Sequence, residues 1–253
     1  MPRGLERFRN HFAGHTDKYV LIGGTACEHA LNRADLAFRA TKDLDIVLTV
    51  ATLDANFSKL FWEFVDAGKY QHRKKLGEKE VTQCYRFKEP SSEDFPAMLE
   101  LFARKSDALQ APAGGDIGLV VADADAASLS AILMDDEYYS LVTTGRLVTD
   151  KLSSLKPEQL IPLKARAFLD LSARKAAGGS EKSSDIKKHK NDVFRLYALL
   201  TEASRVDLPA SVKGDLARFL DEMKKDPPDL AALGVLTTSA PEVIGQLARI
   251  YQL

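Results

Sequence analysis

The stretch Tyr19-Val20-Leu21-Ile22-Gly23-Gly24-Thr25, followed by Arg39-Ala40-Thr41-Lys42-Asp43-Leu44-Asp45-Ile46-Val47-Leu48, decides how this chain is read. Tyr19 to Ile22 is a short apolar run of β-formers, and it stops at Gly23-Gly24, where a backbone without a β-carbon turns freely. A tight strand-to-helix turn is expected there, with Thr25 placed to cap the helix that carries Ala26, Ala30 and Leu31. The orphan N–H groups and positive dipole end of such a helix suit an anion, so Gly23, Gly24 and Thr25 are candidate phosphate contacts.

Alternation sorts the second strand. Leu44, Ile46 and Leu48 fall on one face, expected to pack on helices, and Asp43, Asp45 and Val47 fall on the other, expected to lie at an open surface. Two neighbouring carboxylates repel each other and gain nothing by packing, so such a strand calls for a cation or a basic partner. Hard oxygen donors favour Mg²⁺ or Mn²⁺. A third acid is then expected from an adjacent strand, and Ala97-Met98-Leu99-Glu100-Leu101-Phe102 offers Glu100, alone among apolar neighbours. Taken singly, each of these acids is more simply read as a solvated edge or an outward strand position.

Together the motifs resemble the minimal nucleotidyltransferase fold of the polymerase β superfamily, and in particular the AbiEii-type nucleotidyltransferases, the toxins of type IV toxin–antitoxin systems. Ser130–Tyr139, Leu160–Leu171 and Asp185–Leu196 resemble further segments of that family, so the likeness spans roughly residues 15 to 200. Two departures stand out: Gly24-Thr25 where many relatives have Gly-Ser, and Glu100 where many have Asp. The resemblance implies an α+β chain, with a nucleotidyltransferase domain over 1–155 built on a mixed β-sheet flanked by helices, and a helical domain over 156–253 contributing to the cleft. It implies transfer of NMP from an NTP to an acceptor hydroxyl on tRNA or protein, with a cognate antitoxin as partner. Asp43, Asp45 and Glu100 would hold Mg²⁺ or Mn²⁺, Glu100 also serving as base, and Gly23, Gly24, Thr25, Lys164 and Lys188 would bind the nucleotide. Asp192 would orient Lys164, Lys188 or the base. The alternatives are a nucleotide-binding regulator without turnover and an antibiotic-type enzyme with a small-molecule acceptor.

The rest of the chain is compatible with an enzyme of the cytoplasm. With 253 residues, 45% of them hydrophobic, the chain can bury one core or two smaller ones, so two domains are plausible. No apolar run is long enough to span a membrane, and the N-terminus leads into no signal-like core. Cys27 and Cys84 lack metal-binding spacing, and the five histidines are scattered, so neither a disulfide nor a zinc site is expected. A net charge of −1 advertises no general affinity for nucleic acid, although Lys69–Lys75 is a short basic run in a loop or strand start.

Leu53, Phe57, Leu60, Phe61, Phe64 and Val65 mark an amphipathic helix, and Val81–Phe87 and Ile117–Val121 read as strands. Asp135-Asp136-Glu137 reads as an exposed turn rather than a second cage. From Pro157 the period becomes helical, and Lys164 falls within the apolar stripe of Leu160, Leu163, Ala167, Phe168 and Leu171. A lysine there either snorkels or meets a carboxylate or phosphate. Arg174–Ser184 reads as a mobile connection, after which Asp185 is expected to cap a helix carrying Lys188, His189, Asp192 and Leu196. Further helices broken by Pro227-Pro228 complete the chain.

Overall fold

The computed structural model describes residues 2–49, 54–71, 84–103, 124–235 and 238–253. Helix α1 (Leu5–His11) leads into β1 (Tyr19–Ile22), and α2 (Gly23–Asn32) starts at the glycine pair. Then come β2 (Asp43–Leu48), α3 (Ala55–Gly68), β3 (Cys84–Lys88) and β4 (Met98–Phe102). Helices α4 (Ala124–Met134) and α5 (Asp136–Thr144) precede a hairpin of β5 (Arg146–Thr149) and β6 (Leu152–Leu155). The remainder is helical: α6 (Pro157–Ala176), α7 (Ser183–Tyr197), α8 (Ala210–Lys225), a 3₁₀ turn (Ala231–Leu233) and α9 (Ala240–Ile250). Among the described residues no helix is long and apolar enough to cross a membrane.

The described strands form one mixed sheet in the order β3-β4-β2-β1-β6-β5. Strand β2 lies antiparallel to β1 and parallel to β4; β6 lies parallel to β1, and β3 and β5 run antiparallel to β4 and β6. The architecture is α+β, as expected. Alternation along the strands divides the core in two. Tyr19, Leu21, Leu44, Ile46 and Leu48 pack with the aromatic residues of α1 and α3, including Phe8, Phe12, Phe57 and Phe64. Val20, Ile22 and Val47 belong to the other core, which runs without a break to Leu160, Phe194, Phe219 and Leu247 of the later helices. The Asp43 and Asp45 face of β2 is therefore directed towards the helical region, where both residues stay partly exposed.

Local chemistry fixes the element ends. The Asp54 carboxylate accepts from the Phe57 N–H at 2.8 Å and starts α3, and Ser239 with Glu242 forms a capping box on α9. Asp135 caps α5 by accepting from the N–H groups of Glu137 and Tyr138, which accounts for the acidic triplet. Two expected caps are corrected. Thr25 is the third residue of α2, whose N-cap is Ile22, because the left-handed φ of +66° at Gly23 lets the helix begin at once. Asp185 lies in the first turn of α7, whose N-cap is Lys182. The β5–β6 hairpin is unforeseen: its two-residue turn, Asp150-Lys151, takes left-handed φ values of 51° and 61° without the glycine that usually marks such a turn. Leu53, the basic run from residue 72, residues 81–83 and Ile117–Val121 lie outside the described residues.

Candidate active site

The site grows from the junction of β1 and α2. A β-carbon on Gly23 would stand 2.7 Å from Cγ of Asp45 and closer still to its Oδ2, so only glycine lets the carboxylate rest against the turn. Two partly buried ties hold the approach to β2 against α2. The Thr25 hydroxyl donates to the Asp43 carbonyl at 2.6 Å, and the Glu28 carboxylate accepts from the Thr41 N–H at 2.9 Å and from the Thr41 hydroxyl. Thr25 is fully buried beneath the turn and does not line the cleft described below.

Register brings in the third acid. Asp45 lies opposite Ile22 on β1 and Glu100 on β4, and Glu100 lies opposite Arg86 on β3. The Arg86 guanidinium donates from Nε to Glu100 Oε1 and is ion-paired to it through Nη2, with both side chains buried. Among the described residues no three His, Cys, Asp or Glu side chains are gathered as a metal cage.

Helices α6 and α7 supply cations. Lys164 is 4% exposed, and its Nζ stands 3.2 Å from Oδ2 of Asp192, which is fully buried. Arg39, from the segment between α2 and β2, forks onto the same carboxylate, with Nη2 3.0 Å from Oδ2 and Nε 3.4 Å from Oδ1. A cleft of about 720 Å³ opens over this floor, a size that accommodates a nucleotide. It is lined by Gly23, Gly24, Arg39, Asp43, Asp45 and Glu100 on the sheet side, and by Lys164, Lys182, Asp185, Lys188 and His189 on the helical side. Ala126, Leu129, Leu163 and Ala167 give it an apolar wall.

The charges are tuned by this setting. Burial raises the Asp43 carboxyl pKa against the opposing effect of Lys42 and Arg86. Burial also raises that of Asp45, opposed by Lys164 and by a hydrogen bond with Glu100 and reinforced by Asp43. For Lys164, burial alone would lower the pKa, but the carboxylates of Asp192 and Asp45 oppose it, and the ammonium lies above the ordinary lysine value. Asp192 is held below the usual carboxylate range because Lys164 and Arg39 overcome its burial. Cys27, buried nearby, is pushed up to about 12 by desolvation and is a neutral thiol.

No protein-family model matches the chain, and no curated protein matches its sequence. One solved structure, an antigenic nucleotidyltransferase-like protein from Paracoccidioides brasiliensis, is similar over 100% of both chains at 14% identity with a TM-score of 0.45. At that level of likeness nothing about chemistry transfers.

Of the residues singled out in the sequence, Gly23, Gly24, Asp43, Asp45, Glu100, Lys164 and Lys188 meet in this cleft, while Thr25 and Asp192 support it from behind. Arg39, Glu28, Thr41 and Arg86 complete the arrangement and were given no role by sequence reasoning. Arg39 and Thr41 stand inside the quoted Arg-x-Thr-x-Asp-x-Asp pattern, which was a usable signal. Glu28 and Arg86 carry none, because each is understood only through a partner on a different element, Thr41 before β2 and Glu100 on β4.

Proposed function

We propose that this chain is a nucleotidyltransferase that moves a nucleoside monophosphate from an NTP to an acceptor hydroxyl and releases pyrophosphate. The observation that carries the reading is the Asp45 carboxylate lodged against the Gly23 turn, on the floor of a cleft whose far wall presents Lys164 and Lys188. Carboxylates facing ammonium groups across a nucleotide-sized cleft suit a polyphosphate accompanied by a hard divalent cation. Asp43 and Asp45 fit such a cation, since burial makes both costly as bare carboxylates and Asp43 adds repulsion at Asp45. The pair would hold Mg²⁺ or Mn²⁺, with Glu100 beside it but tied to Arg86 and not gathered into a three-acid cage among the described residues; such a cation would supply neutralisation of charge on the phosphates and the acceptor oxygen.

The chain's own groups position and discharge the reactants. The phosphates lie over Gly23 and Gly24 at the N-terminus of α2, where free N–H groups and the helix dipole favour negative charge. Thr25 acts indirectly, by fixing the carbonyl of Asp43. The acceptor oxygen attacks the α-phosphorus, the bond to the bridging oxygen breaks, and pyrophosphate leaves with the electron pair. The acceptor proton passes to the Glu100 carboxylate, which lies opposite Asp45 across the β2–β4 register. Lys164, charged at neutral pH and held by Asp192, offsets charge on the leaving group with Lys188 at the rim. The sequence resemblance extends the proposal to an AbiEii-type toxin, with tRNA or protein as acceptor and an antitoxin as partner.

A second reading, nucleotide binding without transfer, draws on Arg86, whose guanidinium already neutralises Glu100. Incubation with each NTP labelled at the α-phosphate, with Mg²⁺ and cellular RNA, with and without RNase, separates the two. Label in RNA, on protein or on an added small molecule supports transfer and identifies the acceptor class. Bound nucleotide with no label transferred supports the second reading. Undiminished transfer by an Asp43→Ala, Asp45→Ala double variant overturns the site.

A further inference from the structure

We infer that Arg39 selects a triphosphate by holding the phosphates beyond the reacting one, with Asp192 as its positioning residue; this deepens, and rests on, the nucleotidyl-transfer reading above. The starting observation is an imbalance of charge. The fully buried Asp192 carboxylate faces Arg39 at 3.0 Å, Lys164 at 3.2 Å and Arg195 at 3.6 Å, so one anion serves three cations. Two of those cations, Arg39 and Lys164, line the cleft. Asp43 and Asp45 answer part of the surplus, but a divalent cation bound to them cancels that contribution. With Lys42, Lys182 and Lys188 also lining the cleft, against Glu100 and Asp185, the remaining positive charge favours an anionic ligand.

Geometry assigns the task to Arg39 in particular. Its Nε and Nη2 are taken by the two oxygens of Asp192, which fixes the plane of the guanidinium and leaves the Nη1 donors outside that fork. Nη2 and Nη1 lie 3.2 and 3.6 Å from where a β-carbon on Gly24 would stand, so the group sits directly over the second glycine of the turn. The Phe38 ring supports it, with the guanidinium carbon 5.0 Å from the ring centroid. The Arg39 side chain keeps 32% of its surface exposed, whereas Asp192 keeps none. An arginine held by a buried carboxylate at its inner edge and open to the cleft is placed to receive an anion. Its planar fork suits phosphate oxygens, and a lysine would not reproduce it.

The test is calorimetric titration, in Mg²⁺, of wild type, Arg39→Met, Arg39→Lys and Asp192→Asn with the four NTPs and their di- and monophosphates. A charge-assisted contact of this kind predicts a loss of about 10- to 100-fold in NTP affinity for Arg39→Met. Monophosphate affinity should change less than about threefold on the same scale. Arg39→Lys should lose most of the same preference, and Asp192→Asn should move NTP affinity in the same direction. Melting curves on each variant show whether it is folded, and Arg39→Lys, which keeps the charge beside Asp192, carries the test if Arg39→Met does not fold. Equal losses for NTP and monophosphate, or no loss in either arginine variant, overturn the role of Arg39 while leaving the function standing. A wild-type protein that binds no NTP overturns both.

Discussion

Substituting Gly23 by alanine strikes the contact on which the site is built. Gly23 has a φ of +66°, and an L-residue with a β-carbon pays about 1–2 kcal/mol to hold that conformation. At roughly 2–4 °C per kcal/mol for a chain of this length, the backbone term alone lowers the melting temperature by about 2–8 °C. The second effect falls on Asp45. A β-carbon 2.7 Å from its Cγ and 3.0 Å from its Cβ must push the carboxylate aside by on the order of an ångström. Displacement of that size from a reacting centre costs about 10²-fold in rate, or about 2.7 kcal/mol of transition-state stabilisation. Gly24→Ala is the control. Its β-carbon would meet the Thr41 methyl at 2.9 Å, which must shift although Glu28 holds that residue, and the flexible end of Arg39 at 3.2 Å, so it should spare Asp45 and weaken mainly NTP binding. The assay is label transfer at saturating and limiting NTP, beside thermal melting. If Gly23→Ala melts several degrees lower yet keeps kcat within about threefold of wild type, the carboxylate under the turn is not part of the chemistry.

Two further predictions concern the buried charges. The pKa of Asp192 is depressed in the folded state, so its contribution to stability is present above the ordinary carboxylate value of 3.8 and is lost as pH falls through the folded value. Asp192→Asn should therefore cost about 3–5 kcal/mol at pH 7, by breaking a buried pair, with the difference from wild type shrinking below pH ~4; urea unfolding across that range measures it, and a constant difference would count against the ion pair. Burial raises the pKa of both Asp43 and Asp45, so the sign is opposite: stability associated with the protonated forms is present below 3.8 and lost as pH rises through the folded values. An Asp43→Asn, Asp45→Asn variant should melt above wild type at pH 7 in chelator and gain nothing from Mg²⁺, whereas a lower melting temperature in chelator would show that the carboxylates are satisfied without a cation.

The elements around the site were largely legible because their signals are local. Period-2 alternation in Asp43–Leu48 assigned its two faces, the apolar stripe of α3 marked a helix, and the glycine pair marked the turn between β1 and α2. What failed were features set by backbone choices with weak sequence marks. Asp150-Lys151 makes a left-handed turn without glycine, and α2 starts two residues before the threonine that would have capped it.

By itself, the sequence determined that Asp43 and Asp45 share a strand face, that a flexible turn precedes them, and that Lys164 sits in an apolar stripe, since each follows from spacing along one element. Only the tertiary structure decided what those residues meet. The register of β2 with β4 puts Glu100 beside Asp45, the register of β4 with β3 gives Glu100 to Arg86, and the packing of α6 and α7 closes Asp192 over Lys164 and Arg39. Those pairings join positions up to 153 residues apart. Burial then sets their charge states, and burial is a property of the packed chain that no local spacing carries.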